Sequence, residues 1–417
     1  MTRENRKRVV VTGMGALTPL GLDVEETWKG LVEGRSGITR ITQFDSSPFP
    51  VQINGEVKGF DPGRYMDEKE SKRMARFSQL AVAAAKMAVD AAGLVVDDSN
   101  AEDVGVVLGT GIGGGLVEGQ KAHLILLNKG VRRIPPLFIP NMMPNAAAHH
   151  VGCAFGIKGY TSTVIAACAS GTQAIGEGAR AIRDGSAKVV LAGGTESTVC
   201  ELALAGICAM RAVSRRNDEP ERASRPFDAD RDGFVASEGC GVLVLEDLEY
   251  ALARGARIEA EILGYGVTTD AYHVSAPDPE GRGSALAIRR AIGDAGLKPE
   301  DIQYINAHAT ATPVGDPAEV AAIKAVMGDH AYDIPVNATK SMIGHPMGAA
   351  GAVEAIVTIM TINTGTLHPT INWETPDPEC DLDCVPNVAR EAEVDIALSN
   401  SFGFGGQNAC LVLGRYA

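Results

Sequence analysis

The stretch Thr163-Val-Ile-Ala-Ala-Cys168-Ala-Ser-Gly-Thr-Gln173 decides how the rest of the chain is read. An apolar, β-branched approach (Val164, Ile165) runs through small residues into Cys168, and Ser170, Gly171 and Thr172 follow. A helical pattern then extends from Gln173 to about Asp184. The pattern predicts a strand or tight turn delivering a thiol to the first turn of a helix. Free backbone N–H groups and the helix dipole there favour thiolate over thiol. A lone cysteine is more often a buried structural thiol, so partners decide between the two.

Outward from this stretch, short apolar strands alternate with helices. Strand patterns fall at 8–12, 104–108, 188–192 and 241–245, with helices at 25–33, 71–92 and 246–255. Residues 214–232 are dense in charge and turn formers and read as a surface excursion. A strand at 257–265 then restarts the pattern much as 8–12 began it. Helices at 283–296, 318–327 and 349–364 alternate with strands at 302–307, 334–337, 394–399 and 408–413. The alternation means an α/β fold with largely parallel sheets. The restart suggests two similar halves, 1–255 and 256–417, although no strong residue-level repeat is evident.

At 417 residues the chain is long for one simple domain. Its 45% hydrophobic and 22% charged residues suit a soluble protein, and a formal charge of −14 argues against nucleic acid as partner. Eight scattered cysteines lack a disulfide framework, which fits a reducing cytoplasm. Cys380 and Cys384 have no second pair or nearby His, so no metal is expected. The basic start followed by Val9-Val-Val11 is broken by Gly13, Gly15, Pro19 and Gly21, and reads as strand and turn rather than signal peptide. Lys86 and Asp90 interrupt the alanine-rich stretch, so no membrane span is expected.

Gly109-Thr-Gly111-Ile-Gly113-Gly114 after a strand formally satisfies G-x-G-x-x-G. A dinucleotide site also wants an acid about 20 residues on. After Glu118 none appears until Glu177, which makes the match weak.

Two histidines stand in small, polar contexts after predicted strands. His308 lies in Asn306-Ala-His-Ala-Thr310-Ala-Thr312-Pro, and His345 in Lys340-Ser-Met-Ile-Gly-His-Pro. Loops at the carboxyl ends of parallel strands are where α/β sites form. His123, His149, His150, His273, His330 and His368 lack companions and read as structural. Lys340 reads as a partly buried cation that pairs with an acid and biases nearby histidines toward neutrality. Asn400-Ser-Phe402-Gly-Phe404-Gly-Gly406 reads as a mobile gate with a backbone N–H able to face an oxyanion.

Taken together, A-C-A-S-G around Cys168, N-A-H-x-T-x-T-P around His308, T-K-S-M-x-G-H from Thr339 and S-N-S-F-G-F-G-G from Ser399 closely resemble the elongating β-ketoacyl-acyl carrier protein synthases. The resemblance spans essentially the whole chain. It implies a thiolase-like fold, two βαβαβαββ halves in a five-layer α-β-α-β-α sandwich, working as a homodimer without a cofactor. It implies that Cys168 accepts an acyl chain from acyl carrier protein, and that His308 and His345 serve decarboxylation of malonyl carrier protein. Claisen condensation follows, with the N–H groups of Cys168 and Phe404 as oxyanion hole and Phe404 as gate.

By the same resemblance Thr310 and Thr312 bind the phosphopantetheine arm, Phe402 contributes to substrate binding, Ile112 shapes the far end of the acyl pocket at the dimer interface, and Lys340 pairs with Glu354 and also Glu319. Lys69, Lys72 and Arg73 match the patch that receives the acidic carrier protein. The family usually has Gly and Ser where this chain has Ala309 and Ala311. Degradative thiolases and initiating Cys-His-Asn synthases fit less well, and the nucleophile argues against a chain-length-factor subunit.

Overall fold

A computed structural model describes residues 6–416. The main elements of the first half are β1 (Val9–Leu17), α1 (Arg76–Ala92), β2 (Val104–Gly109), α2 (Ala146–Phe155), β3 (Thr161–Val164), α3 (Ser170–Arg183), β4 (Val189–Glu196) and β5 (Gly239–Asp247). The second half repeats the order with β6 (Ala260–Thr269), α4 (Arg282–Ala295), β7 (Tyr304–Asn306), α5 (Gly315–Met327), β8 (Val336–Asn337), α6 (Ala350–Thr364), β9 (Ile396–Gly403) and β10 (Gln407–Gly414). The strands hydrogen-bond in the order β8-β7-β9-β10-β6-β1-β5-β4-β2-β3. Both halves therefore share one internal order, and they meet where Val10 and Val11 pair with Glu261 and Ala260.

The sheet is mixed rather than largely parallel. Only the outer three strands of each half run parallel (β3-β2-β4 and β8-β7-β9). Each half closes with a strand that turns back, β5 on β4 and β10 on β9, and this reverses direction toward the middle. The strand periodicity read from the sequence carries no information on that direction.

Helices α3 and α6 pack on each other and on strands of both halves, whereas α1 and α2 cover one outer face and α4 the other, with α5 packed on α4. The result is the α-β-α-β-α layering. Met347–Thr364 is long and apolar enough to cross a membrane by length and composition, but 83% of it is buried inside the protein. Its apolar surface is used up by the strands of both halves that pack around it. Residues 214–232 are also more than a surface excursion. Ser224, Arg225, Asp228 and Arg231 are buried, with Arg225 Nε 2.9 Å from Asp228 Oδ1.

The halves do carry a residue-level repeat, which the sequence reading missed. β1 continues through Gly13 and Gly15 instead of turning there. A Cβ on Gly13 would lie 2.2 Å from the Ala88 carbonyl oxygen, and one on Gly15 2.1 Å from that of Ala84. In β6, Gly264 and Gly266 would each meet α4 at 2.2 Å, at the oxygens of Ala291 and Ala287. A Gly-x-Gly strand pressed on an alanine-faced helix thus recurs in both halves. α1 itself begins at Arg76, after a separate short helix at Glu68–Ser71, and ends on Gly93 at φ 57°.

Candidate active site

Cys168 follows β3 at the end of the sheet and immediately precedes α3, which starts at Ser170, earlier than its periodicity suggested. The turn is held by Ser170, whose hydroxyl accepts from the Ala166 N–H (2.8 Å) and donates to the Ala167 carbonyl (2.6 Å). Ala167 takes a left-handed φ of 48°. Such a conformation in a non-glycine residue persists only where its surroundings impose it.

His308 enters from the loop after β7, and His345 from the turn between β8 and α6. Ligand-capable atoms of Cys168, His308 and His345 all lie within 4.8 Å of one another. The two imidazoles meet edge to face, centroids 5.4 Å apart. The Phe234 ring stands edge-on to His345 at 5.7 Å, and Phe402 lies 6.1 Å from His308. Nδ1 of His308 and both ring nitrogens of His345 are buried without a hydrogen-bond partner. Buried nitrogens left open in this way are what an incoming carbonyl oxygen would satisfy.

Burial fixes the protonation states. It holds both imidazoles well below their ordinary pKa, and the Lys340 charge pushes the same way. Both are therefore neutral donors. Burial also pushes the Cys168 thiol up to about 11, against Lys340 and the backbone N–H groups of Phe404 and Cys168 itself. The expected thiolate is thus corrected. The helix N-terminus is present, but desolvation outweighs it in the resting pocket.

Lys340 is buried, and its Nζ lies 2.5 Å from Glu354 Oε1. Burial raises the Glu354 carboxyl to about 7 even so. Glu319 does not pair with Lys340. Its carboxylate instead accepts the N–H groups of His308 (2.8 Å) and Ala309 (2.7 Å) and the Asn400 amide (3.2 Å). It braces the histidine loop through backbone, a role without a sequence signature. Ala309 and Ala311 both sit buried at positive φ, 26° and 66°.

A cavity of about 360 Å³ opens over this cluster. Cys168, His308, His345, Thr310, Thr312, Phe402 and Phe404 line it, together with Phe234, Met210 and Arg211, which the sequence reading did not single out. Arg211 sits just before the charged stretch 214–232, and nothing in its local sequence marks it. A Cβ on Gly403 would lie 2.9 Å from the Cys168 nitrogen, so the hairpin backbone before Phe404 closes directly on the Cys168 turn. Ile112 does not line this cavity. Lys69, Lys72 and Arg73 are exposed on the outer surface beside the Glu68–Ser71 helix, and do not line it either.

The family model described as Beta-ketoacyl synthase, N-terminal domain, matches residues 6–251, and that for the C-terminal domain matches residues 259–374. A 3-oxoacyl-[acyl-carrier-protein] synthase 2 of Synechocystis sp. is 51% identical over 417 residues, covering 100% of both chains. A solved ishigamide ketosynthase/chain length factor superposes with a TM-score of 0.92 at 41% identity, covering 99% of this chain and 100% of the other. A type II polyketide ketosynthase, solved in complex with its acyl-carrier protein and bound to the hexaketide, gives 0.91 at 34% identity, with coverage of 99% and 100%.

Proposed function

The chain belongs to the β-ketoacyl synthase family, and from that premise we propose that it is a 3-oxoacyl-[acyl-carrier-protein] synthase 2, an acyltransferase elongating fatty acids by decarboxylative Claisen condensation. The observation that carries this reading is one enclosed thiol beside two neutral imidazoles with open nitrogens. In the first step the Cys168 sulfur attacks the thioester carbonyl of acyl carrier protein, and the pantetheine thiol leaves with the proton. Malonyl carrier protein then loses CO₂, and the electron pair of the broken C–C bond passes to the thioester oxygen as an enolate. His308 and His345 donate to that oxygen. Being neutral, they stabilise the charge without protonating the carbon. The enolate carbon attacks acyl-Cys168, and the oxyanion rests on the N–H groups of Cys168 and Phe404. As it collapses the C–S bond breaks, and Cys168 leaves as a thiolate that takes a proton from solvent.

Further roles follow from position. Thr310 and Thr312, with hydroxyls 3.3 Å apart on the cavity wall, suit the polar pantetheine arm. Lys69, Lys72 and Arg73 are the exposed cations offered to an acidic carrier protein on a chain of charge −14, and Lys72, 2.6 Å from Glu68, would exchange that partner for the carrier's acid. Phe404, 36% exposed at the cavity, is the gate. β3 ends the sheet as an open edge, with Tyr160 and Ile165 exposed at its two ends. Such an edge invites a second copy, so the working form is a homodimer, which is also where Ile112 would bound the acyl chain. No cofactor or metal is required, since bond making and breaking use only substrate and side-chain groups. All eight cysteines are free thiols, in keeping with the cytoplasm.

Intact-protein mass spectrometry of wild type and Cys168→Ala with acyl carrier proteins tests the reading. Acylation in wild type only, then a carrier-bound β-keto product two carbons longer after malonyl carrier protein is added, is the expected result. Folded wild type that accepts no acyl group from any donor would overturn it.

A further inference from the structure

The glycine loop that superficially matches a nucleotide-binding motif is already holding an anion, and the anion belongs to the protein. Glu196 ends β4 with no exposure to solvent. Its carboxylate accepts the N–H groups of Gly111 (2.6 Å) and Gly113 (3.1 Å), the weaker Ile112 N–H (3.3 Å) and the Thr110 hydroxyl (3.0 Å). From the opposite side it accepts the Gly348 N–H at 3.2 Å. The fit leaves no room for a side chain: a Cβ on Gly111 would lie 2.8 Å from Glu196 Oε2, and one on Gly348 would lie 2.1 Å from the Gly111 nitrogen. A loop of N–H groups that cradles phosphate elsewhere is here closed by a buried side chain.

From this geometry we propose that Glu196 is a positioning residue for the condensation, a clamp that fixes the 109–114 loop and the His345–Gly348 turn about Cys168. Gly348 follows Met347, which sits at φ 42° and packs in the same apolar cluster as Cys168. His345 lies in that turn. Three chain segments far apart in sequence thus meet on one carboxylate, and both the nucleophile and one imidazole are placed by their meeting. Glutamine cannot replace it, because its NH₂ would face N–H groups that need an acceptor. The charges and titratable groups facing Cys168 are Lys340, His308, His345 and Glu196. Burial raises the Glu196 carboxyl while its N–H donors hold it down, and in its ionised form it opposes thiolate formation.

The inference rests on Cys168 being the nucleophile, and its test separates the two. Steady-state kinetics and the pH dependence of Cys168 alkylation by iodoacetamide are measured for wild type, Glu196→Gln and Glu196→Asp. Glu196→Gln is expected to lower kcat about tenfold or more, with a smaller change in KM for malonyl carrier protein, and to move the alkylation midpoint to lower pH. Glu196→Asp, which keeps the charge, should leave the midpoint near wild type and restore part of kcat. A folded Glu196→Gln with wild-type kcat and midpoint overturns the proposal. If Glu196→Gln does not fold, Thr110→Val removes one donor and keeps the charge, and it must lower kcat with the midpoint unmoved. Wild-type kinetics there also overturn it. Alkylation needs no acyl substrate, so a wild type that condenses nothing counts against the enzymatic reading while the midpoints still test the clamp.

Discussion

The two halves of this molecule share a strand order and a Gly-x-Gly contact with an alanine-faced helix, yet they supply different chemistry. At the junction of third strand and third helix, the first half presents Cys168 and the second presents Lys340 and His345. After the second strand, the first half has the glycine loop closed by Glu196, and the second has the His308 loop braced by Glu319. Both loops are therefore tied down by a buried carboxylate on backbone N–H groups. A duplicated scaffold teaches where a site will form, at the strand ends around α3 and α6, but not which half carries the thiol.

The division of labour predicts separable defects. His308→Ala and His345→Ala should still accept an acyl group on Cys168, whereas condensation falls on the order of 10³-fold. Mass spectrometry before and after malonyl carrier protein is added resolves the two steps. Loss of acylation in both histidine variants would break the comparison.

Lys340 acts across the boundary, on thiol and imidazoles alike. Lys340→Met should cost about 3 kcal/mol in urea unfolding, at the low end for a broken buried pair, because Glu354 at about 7 can take a proton. Removing the cation takes away a force that lowers the thiol pKa and the imidazole pKa values. The alkylation midpoint and the acid limb of condensation should both move to higher pH. Both histidines are depressed, so the unfolded chain binds protons that the folded one refuses once pH falls below about 6.5. Their share of stability is lost over that fall, and Lys340→Met should soften it.

A sharper test of equivalence uses Gly13→Ala and Gly264→Ala. Each drives a methyl onto a helix carbonyl at 2.2 Å, so each should lose about 1–3 kcal/mol or somewhat more. Melting temperatures should drop alike, and a tolerated change in one half would show that the packing is only formally repeated. The smallest effect is expected at the strained alanines. Ala309→Gly or Ala311→Gly removes a left-handed penalty of about 1 kcal/mol but gains chain entropy of similar size when unfolded. Stability should shift by less than about 1 kcal/mol, read by denaturant midpoint, and Ala167→Gly in the first half is the matched control.

Much of the site was legible because its signals are local. Cys168, His308, Lys340 and His345 each sit in a contiguous run whose small residues mark a close approach. What was not legible depends on partners distant in sequence. Gly13 and Gly15 looked like a turn because Ala84 and Ala88, the atoms they press against, lie far along the chain. Glu196 gave no sign because its donors come from the loop at 111–113 and from Gly348. The thiolate expectation failed for a related reason: periodicity locates a helix start, but only packing sets how dry it is.

The two-residue join between β1 and β6 has a consequence for inheritance and folding. Backbone pairing alone would barely connect the halves, whereas α3 and α6 are each covered by strands from both. Neither half, expressed by itself, has a lid for its own central helix. The repeat that looks modular on paper is a single cooperative unit, free to diverge in its loops and bound together at its middle layer.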